Sequence, residues 1–261
     1  MPLQTRICEI LEIEYPIFLA GMGGASVPAL AAAVSNAGGL GVLGAAACSP
    51  DQLRSWIRQT REMTDKPFGV DTLLPASVRR GSAPQSGNAP ANPMAKIDEY
   101  KEFTRDFMAR ENLPEVDAAA AMRAAGSPDM GKSQLQLFSR EFFEAQMEVV
   151  IEEKVPVYAA GLGNPAPWID QGHDGGGHNS PIGTMSLIPQ VVDAVGDRVP
   201  VIGAGGISDG RGVAASLMLG AEGAWIGTAF LATDEAGIEH FQKEAITESG
   251  DADTVVSRSL T

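Results

Sequence analysis

The sequence predicts an α/β fold in which parallel strands alternate with helices and close toward a TIM-type β/α barrel. Three observations predict it. Short apolar runs alternate with helical segments along most of the chain, the pattern of a parallel sheet clad in helices. The length of 261 residues suits one barrel domain with little decoration. Two consecutive units near the C-terminus, VPVIGAGGISDG and AEGAWIGT, each run from a strand into a glycine turn, as the phosphate site after the last two strands of such barrels does.

Pro16 to Ala20 reads as the first strand. Gly21-Met22-Gly23-Gly24 follows it, then an alanine-rich helix that Ser26 opens, with Pro28 in its first turn, and that ends at Gly38-Gly39. Leu40 to Leu43 forms the second strand, and Ser49-Pro50 opens a helix with Leu53, Trp56 and Ile57 at helical spacing. Pro67 to Leu74 is the third strand. The alternation then breaks over 75–132, a stretch that starts Pro-, Ser- and Gly-rich and becomes charged and helical. Its length predicts a lid-like excursion over the barrel mouth. Ser139 opens a helix whose Phe142, Phe143, Met147, Val150 and Ile151 form one apolar stripe, and Val155 to Ala160 is the fourth strand. The polar stretch QGHDGGGHNS covers 171–180, a helix runs from Thr184 to Val195, and the two glycine-turn units complete the order. The tail from Asp234 reads as helical through Ala245. Six strands result, near residues 17, 40, 68, 156, 200 and 224, with room for a short one before Gln171.

Gly203, Gly205 and Gly206 carry no side chain, so their amides can come close to an anion and adopt the positive φ that such turns need. Ser208 or Asp209 is placed to cap a helix whose Val213, Leu217 and Leu219 face inward, and Gly220 suits its end. An anion at that helix start meets free N–H groups and the favourable end of the dipole. Gly227 and Thr228 offer a further amide and a hydroxyl to the same anion. One glycine turn alone is usually just a tight turn; two at one βα spacing favour phosphate.

The formal charge of -14 argues against nucleic acid or an anionic membrane as partner, since both favour clustered Lys and Arg. Cys8 and Cys48 are too few for a disulfide framework and have no metal-ligand spacing, which fits a reducing cytoplasm and implies no metal. No apolar run has membrane-spanning length. The expectation is a cytoplasmic protein that acts on a small molecule.

Beyond these readings, the chain resembles the nitronate monooxygenase family, also called 2-nitropropane dioxygenases. The likeness is carried by PIFLAGMGG, LAAAVSNAGGLGVLGA, KPFGVDTLLP, GLGNPAPW, QGHDGGGH, TMSLIPQVVDAV, PVIGAGGISDGRG and GAEGAWIGTAFLAT, which cover nearly the whole sequence. Members are FMN-dependent TIM barrels related to flavin-type enoyl-acyl-carrier-protein reductases. The resemblance implies FMN as cofactor, with Gly205, Gly206, Gly227 and Thr228 on its phosphate. It places Gly21, Met22 and Gly23 beside the flavin ring, Asp71 near the ring, and Gln171, Gly176 and Gly177 in further flavin contacts. His178 matches the GGH histidine assigned as catalytic base or substrate-orienting group.

The chemistry suits these residue types. Oxidation of a nitroalkane needs loss of a carbon-bound proton to give the nitronate, and an imidazole titrating near neutrality can accept it. Three glycines before His178 let the backbone run close to a planar ring. His173 and Asp174 take a supporting role at most, and His240, in a charged helix, reads as a solvated surface residue. The implied reaction converts an alkyl nitronate and O2 to a carbonyl compound and nitrite. Two alternatives stay open: an enoyl reductase-like enzyme using NAD(P)H, or a shortened relative that binds FMN or another phosphate ligand without turnover.

The pattern departs from the family at one place. Members carry roughly one further βα unit, about thirty residues, between GNPAPW and the QGH motif, whereas here Trp168-Ile169-Asp170 runs straight into Gln171. A barrel lacking one βα unit between residues 168 and 172 follows, with a C-terminal region also shorter than the family's. Six strands do not close an eight-stranded barrel, and an open edge makes association into a homo-oligomer plausible.

Overall fold

All six expected strands are present in a computed structural model that describes residues 3–73, 105–106, 109–110, 140–161, 174–176 and 182–254. They are β1 (Ile17–Leu19), β2 (Gly41–Gly44), β3 (Phe68–Leu73), β4 (Val157–Gly161), β5 (Ile202–Ala204) and β6 (Gly223–Ile226). Every pairing is parallel: β2-β3-β4 forms one group and β1-β6-β5 the other. A bridge between Phe18 and Leu40 joins them into the row β4-β3-β2-β1-β6-β5. The final strands thus return beside the first, as a β/α barrel requires. Among the described residues the outer edges of β4 and β5 carry no strand partner, which is where the sequence lacks a βα unit. The lid-like excursion lies outside the described residues except for the helical pairs 105–106 and 109–110, and so does the short strand before Gln171.

Side chains alternate between two layers, as strand geometry demands. Phe18, Leu40 and Val42 point into the barrel with partly buried Val157, Ala159, Ile202 and Trp225. Leu19, Leu43 and Val70 point outward onto Leu30 and Val34 of α2 (Pro28–Asn36), Leu53, Trp56 and Ile57 of α3 (Pro50–Met63), and Val149 and Val150 of α4 (Arg140–Glu152). Helices α5 (Thr184–Val195), α6 (Gly210–Met218), α7 (Thr228–Leu231) and α8 (His240–Glu248) complete the outer layer and the tail. Among the described residues, no helix is long and apolar enough to cross a membrane.

Five points differ from expectation. A helix, α1 (Arg6–Leu11), precedes the first strand. Six residues are too few for periodicity to reveal it, and it is held by a distant partner: Thr5 donates to the Glu222 carbonyl at 2.6 Å and Arg6 pairs with the Glu222 carboxylate at 2.5 Å. Its Ile7, Cys8 and Leu11 pack with the interior cluster. Ser26 does not cap α2, whose N-cap is Val27. Its hydroxyl instead donates to the Ala20 carbonyl at 2.7 Å and accepts from the Met22 amide at 3.1 Å, folding the turn after β1 on itself. Ile151 leaves the apolar stripe and is 68% exposed, because the buried face of α4 runs through Phe143, Gln146, Val149 and Val150. In the tail, the helix starts only at His240 and runs on to Glu248. On α6, Val213 is buried while Leu217 and Leu219 are only half-buried.

The α3–α4 contact is closed by charge. Arg54, Arg58 and Arg61 place guanidinium nitrogens 3.1, 2.9 and 2.9 Å from the Glu153 carboxylate. Desolvation pushes that carboxyl up, but hydrogen bonds from Arg58 and Arg54, with the charge of Arg58 and a bond from Arg61, outweigh it and hold Glu153 below its ordinary value. A carboxyl with a lowered folded-state pKa contributes stability above its unfolded value and loses that contribution as pH falls through the folded one. The urea midpoint is therefore expected to be insensitive to Glu153 ionisation above about pH 5 and to fall below about pH 4. Glu153→Gln should flatten that acid limb; an unchanged limb would mean the pairs are solvent-screened.

Candidate functional site

Parallel strands present their C-terminal ends on one face, and the strand register decides which turns become neighbours there. Leu19 pairs with Ile226 and Ala204 with Trp225, so the turns after β1, β6 and β5 begin side by side. Gly44 pairs with Asp71, which brings β2 and β3 to the same level.

Two glycines in the turn after β5 use a conformation that other residues resist: Gly205 has φ +106° and Gly206 φ +65°. Asp209 caps the following helix α6, accepting from the amides of Arg211 at 2.9 Å and Gly212 at 3.2 Å. Of the two caps the sequence allowed, Asp209 is the one used. After β6, Gly227 precedes α7, and Thr228 is its first residue. The amides of Gly205, Gly206, Gly227 and Thr228 donate to no hydrogen bond among the described residues. Free donors in two neighbouring turns at one end of a parallel sheet can receive an anion.

The β1 turn closes on this group from the other side. A β-carbon at Gly227 would sit 3.2 Å from the Met22 sulfur and 3.5 Å from Ala20. One at Gly21 would overlap the Asp71 carboxyl group, so glycine is needed for Asp71 to lie against the backbone of the β1 turn. A β-carbon at Gly23 meets nothing within 4 Å. The segment 174–176 packs on the β5 turn: the β-carbon direction of Gly205 points at the Gly175 amide and the Thr184 hydroxyl, both 2.7 Å away, and that of Gly206 at the Asp174 β-carbon, 2.9 Å away.

The structure thus brings Gly21, Met22, Asp71, Gly176, Gly205, Gly206, Gly227 and Thr228 to one end of the barrel. Gly203 is different. It lies inside β5, buried, with its side-chain space filled by Ile188 and Ser216, so it serves close packing of the helix layer. Gln171, His173, Gly177 and His178 lie outside the described residues. His240 is on the surface, 3.3 Å from Glu244, as expected of a solvated residue. Cys48 follows β2, but burial pushes its thiol up to about 12, which leaves no thiolate nucleophile near neutrality. Burial likewise raises Tyr158, against the opposing bond from the Thr72 hydroxyl and with help from the charge of Asp71; its hydroxyl lies 2.8 Å from Thr72.

Gln146 escapes sequence inspection, and Asp174, expected in a supporting role at most, has a partner that the sequence does not show. Gln146, fully buried on α4, donates from Nε2 to the carbonyls of Ala45 at 2.8 Å and Cys48 at 2.7 Å. Asp174 accepts from the Thr184 amide at 2.8 Å. Both partnerships span loops, and no local motif marks them. A separate apolar groove of about 280 Å³, lined by Tyr15, Leu30, Val34 and Phe230, opens between α2 and the segment 230–235, outside the barrel and apart from the strand ends.

Comparison with known proteins bears on the family and the fold. The family model for nitronate monooxygenase matches residues 4–261. A probable nitronate monooxygenase of Staphylococcus saprophyticus is 35% identical over 281 aligned positions, covering 100% of this chain and 77% of that protein. Its Staphylococcus aureus (strain MRSA252) counterpart is 33% identical, over 98% of this chain and 76% of its own. An alignment of 281 positions exceeds the chain's 261 residues, so the relative holds residues that this chain skips. Among solved structures, a point mutant of FabK from Thermotoga maritima superposes with a TM-score of 0.68 at 31% identity, covering 97% of this chain and 74% of that one. Nitroalkane oxidase from Streptomyces ansochromogenes does so with a TM-score of 0.66 at 30% identity, covering 92% and 72%.

Proposed function

The chain belongs to the nitronate monooxygenase family of flavin oxidoreductases, and from that premise we propose that it binds FMN and oxidises alkyl nitronates with O2 to a carbonyl compound and nitrite. The observation that carries this reading is that the amides of Gly205, Gly206, Gly227 and Thr228, in two turns that begin side by side, have no partner among the described residues. Their donor set fits a phosphate monoester, which needs several N–H groups and no metal. Gly205 and Gly206 sit in a turn that only glycine tolerates well, and α6 begins just beyond it, so its dipole favours the same charge. Gly21, Met22 and Gly23 lie beside this cluster and would flank the ring, with Gly176 at the rim and Gln171 and Gly177 as further contacts.

Flavin, when bound, supplies the electron transfer between nitronate and oxygen. The chain's own residues bind, orient and handle the proton. Asp71, held against Gly21, puts a negative charge near the ring. His178 is the proposed base: its imidazole would take the proton from the carbon bearing the nitro group, a role supported by the GGGH sequence that ends in it. Substrate and O2 are the small-molecule partners of this reading, and the edges of β4 and β5, which carry no strand partner among the described residues, support self-association.

Visible absorption of the purified protein after incubation with FMN tests the reading at its base: absence of a protein-bound flavin spectrum would remove it. Nitrite release from propionate 3-nitronate, measured against NAD(P)H oxidation driven by an enoyl thioester, separates the nitronate reaction from the reductase-like alternative. His178→Ala is expected to lower kcat on nitroalkane by about a hundredfold, the low end for loss of a general base, with flavin binding retained. An unchanged rate in an active protein would count against that residue.

A further inference from the structure

Helix α5 begins without a cap of its own. Its N-cap residue is Gly183, which has no side chain to accept the first free amide. That amide, on Thr184, is taken by a carboxylate from ten residues earlier: Asp174 Oδ2, at 2.8 Å. The hydroxyl of the same Thr184 donates to the carbonyl of Ala204, the last residue of β5, at 3.2 Å. Thr184 is buried and so ties three segments together: 174–176, the start of α5 and the end of β5.

The turn that follows β5 rests on this tie. The β-carbon side of Gly205 is filled by Gly175 and Thr184, and that of Gly206 by Asp174 itself. Both glycines hold positive φ, and both amides lack partners among the described residues. A turn of two glycines is the most flexible element the backbone offers, and nothing in its own sequence keeps it in one shape. The wall made by 174–175 and 184 does.

We propose that Asp174 is a positioning residue: by bonding the Thr184 amide it braces segment 174–176 against the Gly205–Gly206 turn and holds that turn in its anion-receiving shape. The site it serves rests on the flavin reading above. A carboxylate beside an anion site would ordinarily repel the ligand. Here it faces the N-terminus of α5, whose partial positive charge offsets its own, so its geometry is kept at little electrostatic cost.

The test separates bracing from charge. Asp174→Asn keeps an oxygen acceptor for Thr184 and drops the charge; Asp174→Ala drops both; Asp174→Glu keeps both but adds a methylene where Gly206 leaves no room. Dissociation constants for FMN, read by quenching of flavin fluorescence, are expected to stay within about threefold for Asn, rise about tenfold or more for Ala, and rise for Glu. Ala or Glu binding like wild type, or Asn weakening as much as Ala, would overturn the proposal. Amide hydrogen exchange in flavin-free protein gives the second readout: the Thr184 amide, which donates to Asp174, should exchange about tenfold faster in Ala than in Asn or wild type, and equal rates would overturn it. If wild type binds no FMN, the flavin reading falls, and the exchange rates alone decide the role of Asp174. If the Ala variant does not fold, the comparison of Glu with Asn decides it.

Discussion

Gly44→Ala is expected to destabilise the protein by about 3 kcal/mol or more, the upper range for forcing atoms into a packed site, and to take ligand binding with it. Gly44 ends β2, and a β-carbon there would overlap the Met22 carbonyl group. The obstacle is backbone, so no rotamer change relieves it. Relief requires moving the β1 turn, which is fastened by Ser26 to Ala20 and Met22 and by the Gly44 amide to the Ser26 carbonyl at 3.0 Å. The same turn carries Gly21, Met22 and Gly23. Stability and FMN affinity should therefore fall together in urea titrations and flavin binding. Gly210→Ala is the control: it lies in the first turn of α6 with nothing within 4 Å of its β-carbon, and replacing it should be neutral or stabilise by about 0.5 kcal/mol. A Gly44→Ala protein with a wild-type urea midpoint would show that the two turns are not in contact.

Gln146→Ala is expected to cost about 4 kcal/mol, from two unsatisfied carbonyls at roughly 1–3 kcal/mol each and the cavity left behind. Gln146 is fully buried, and its Nε2 is the donor for both Ala45 and Cys48. Those residues open the connection from β2 to α3, and the Ala45 amide in turn donates to the Asp71 carbonyl at 2.9 Å. The loss should thus reach the site through Asp71. Gln146→Met restores much of the volume but no donor, so it should recover only the cavity share. Gln146→Glu should be worse than Met at neutral pH, because a buried carboxylate would face two carbonyl oxygens, and should improve on acidification as it protonates. A Met variant as stable as wild type would mean the hydrogen bonds contribute nothing net. Among the described residues Gln146 Oε1 has no hydrogen-bond partner, so the side chain is held by its donor end alone.

Much of the fold was legible because its signals are local. The helix from Thr184 to Val195 has the bounds read from periodicity, and the six strands fall within a few residues of expectation. Glycines announced the turns at 205–206 and 227, since positive φ and close approach leave few other residues possible. Ile151 was misplaced because a stripe of apolar residues on a sequence wheel does not say how far the opposing layer extends, and buried Gln146 was passed over because a polar residue reads as surface until its partners are seen.

By itself, the sequence determined the parallel α/β class, the six strands found among the described residues, the family and the glycine turns, all properties of contiguous residues whose backbone and periodicity constrain them directly. Only the tertiary structure decided that α1 packs with the barrel interior, that Ser26 ties the first turn to itself, and that Asp174, Thr184, Gln146 and Asp71 brace the strand ends. The physical reason is distance along the chain. A hydrogen bond between residues ten or a hundred positions apart depends on register and on the curl of the sheet, and no window of sequence contains either.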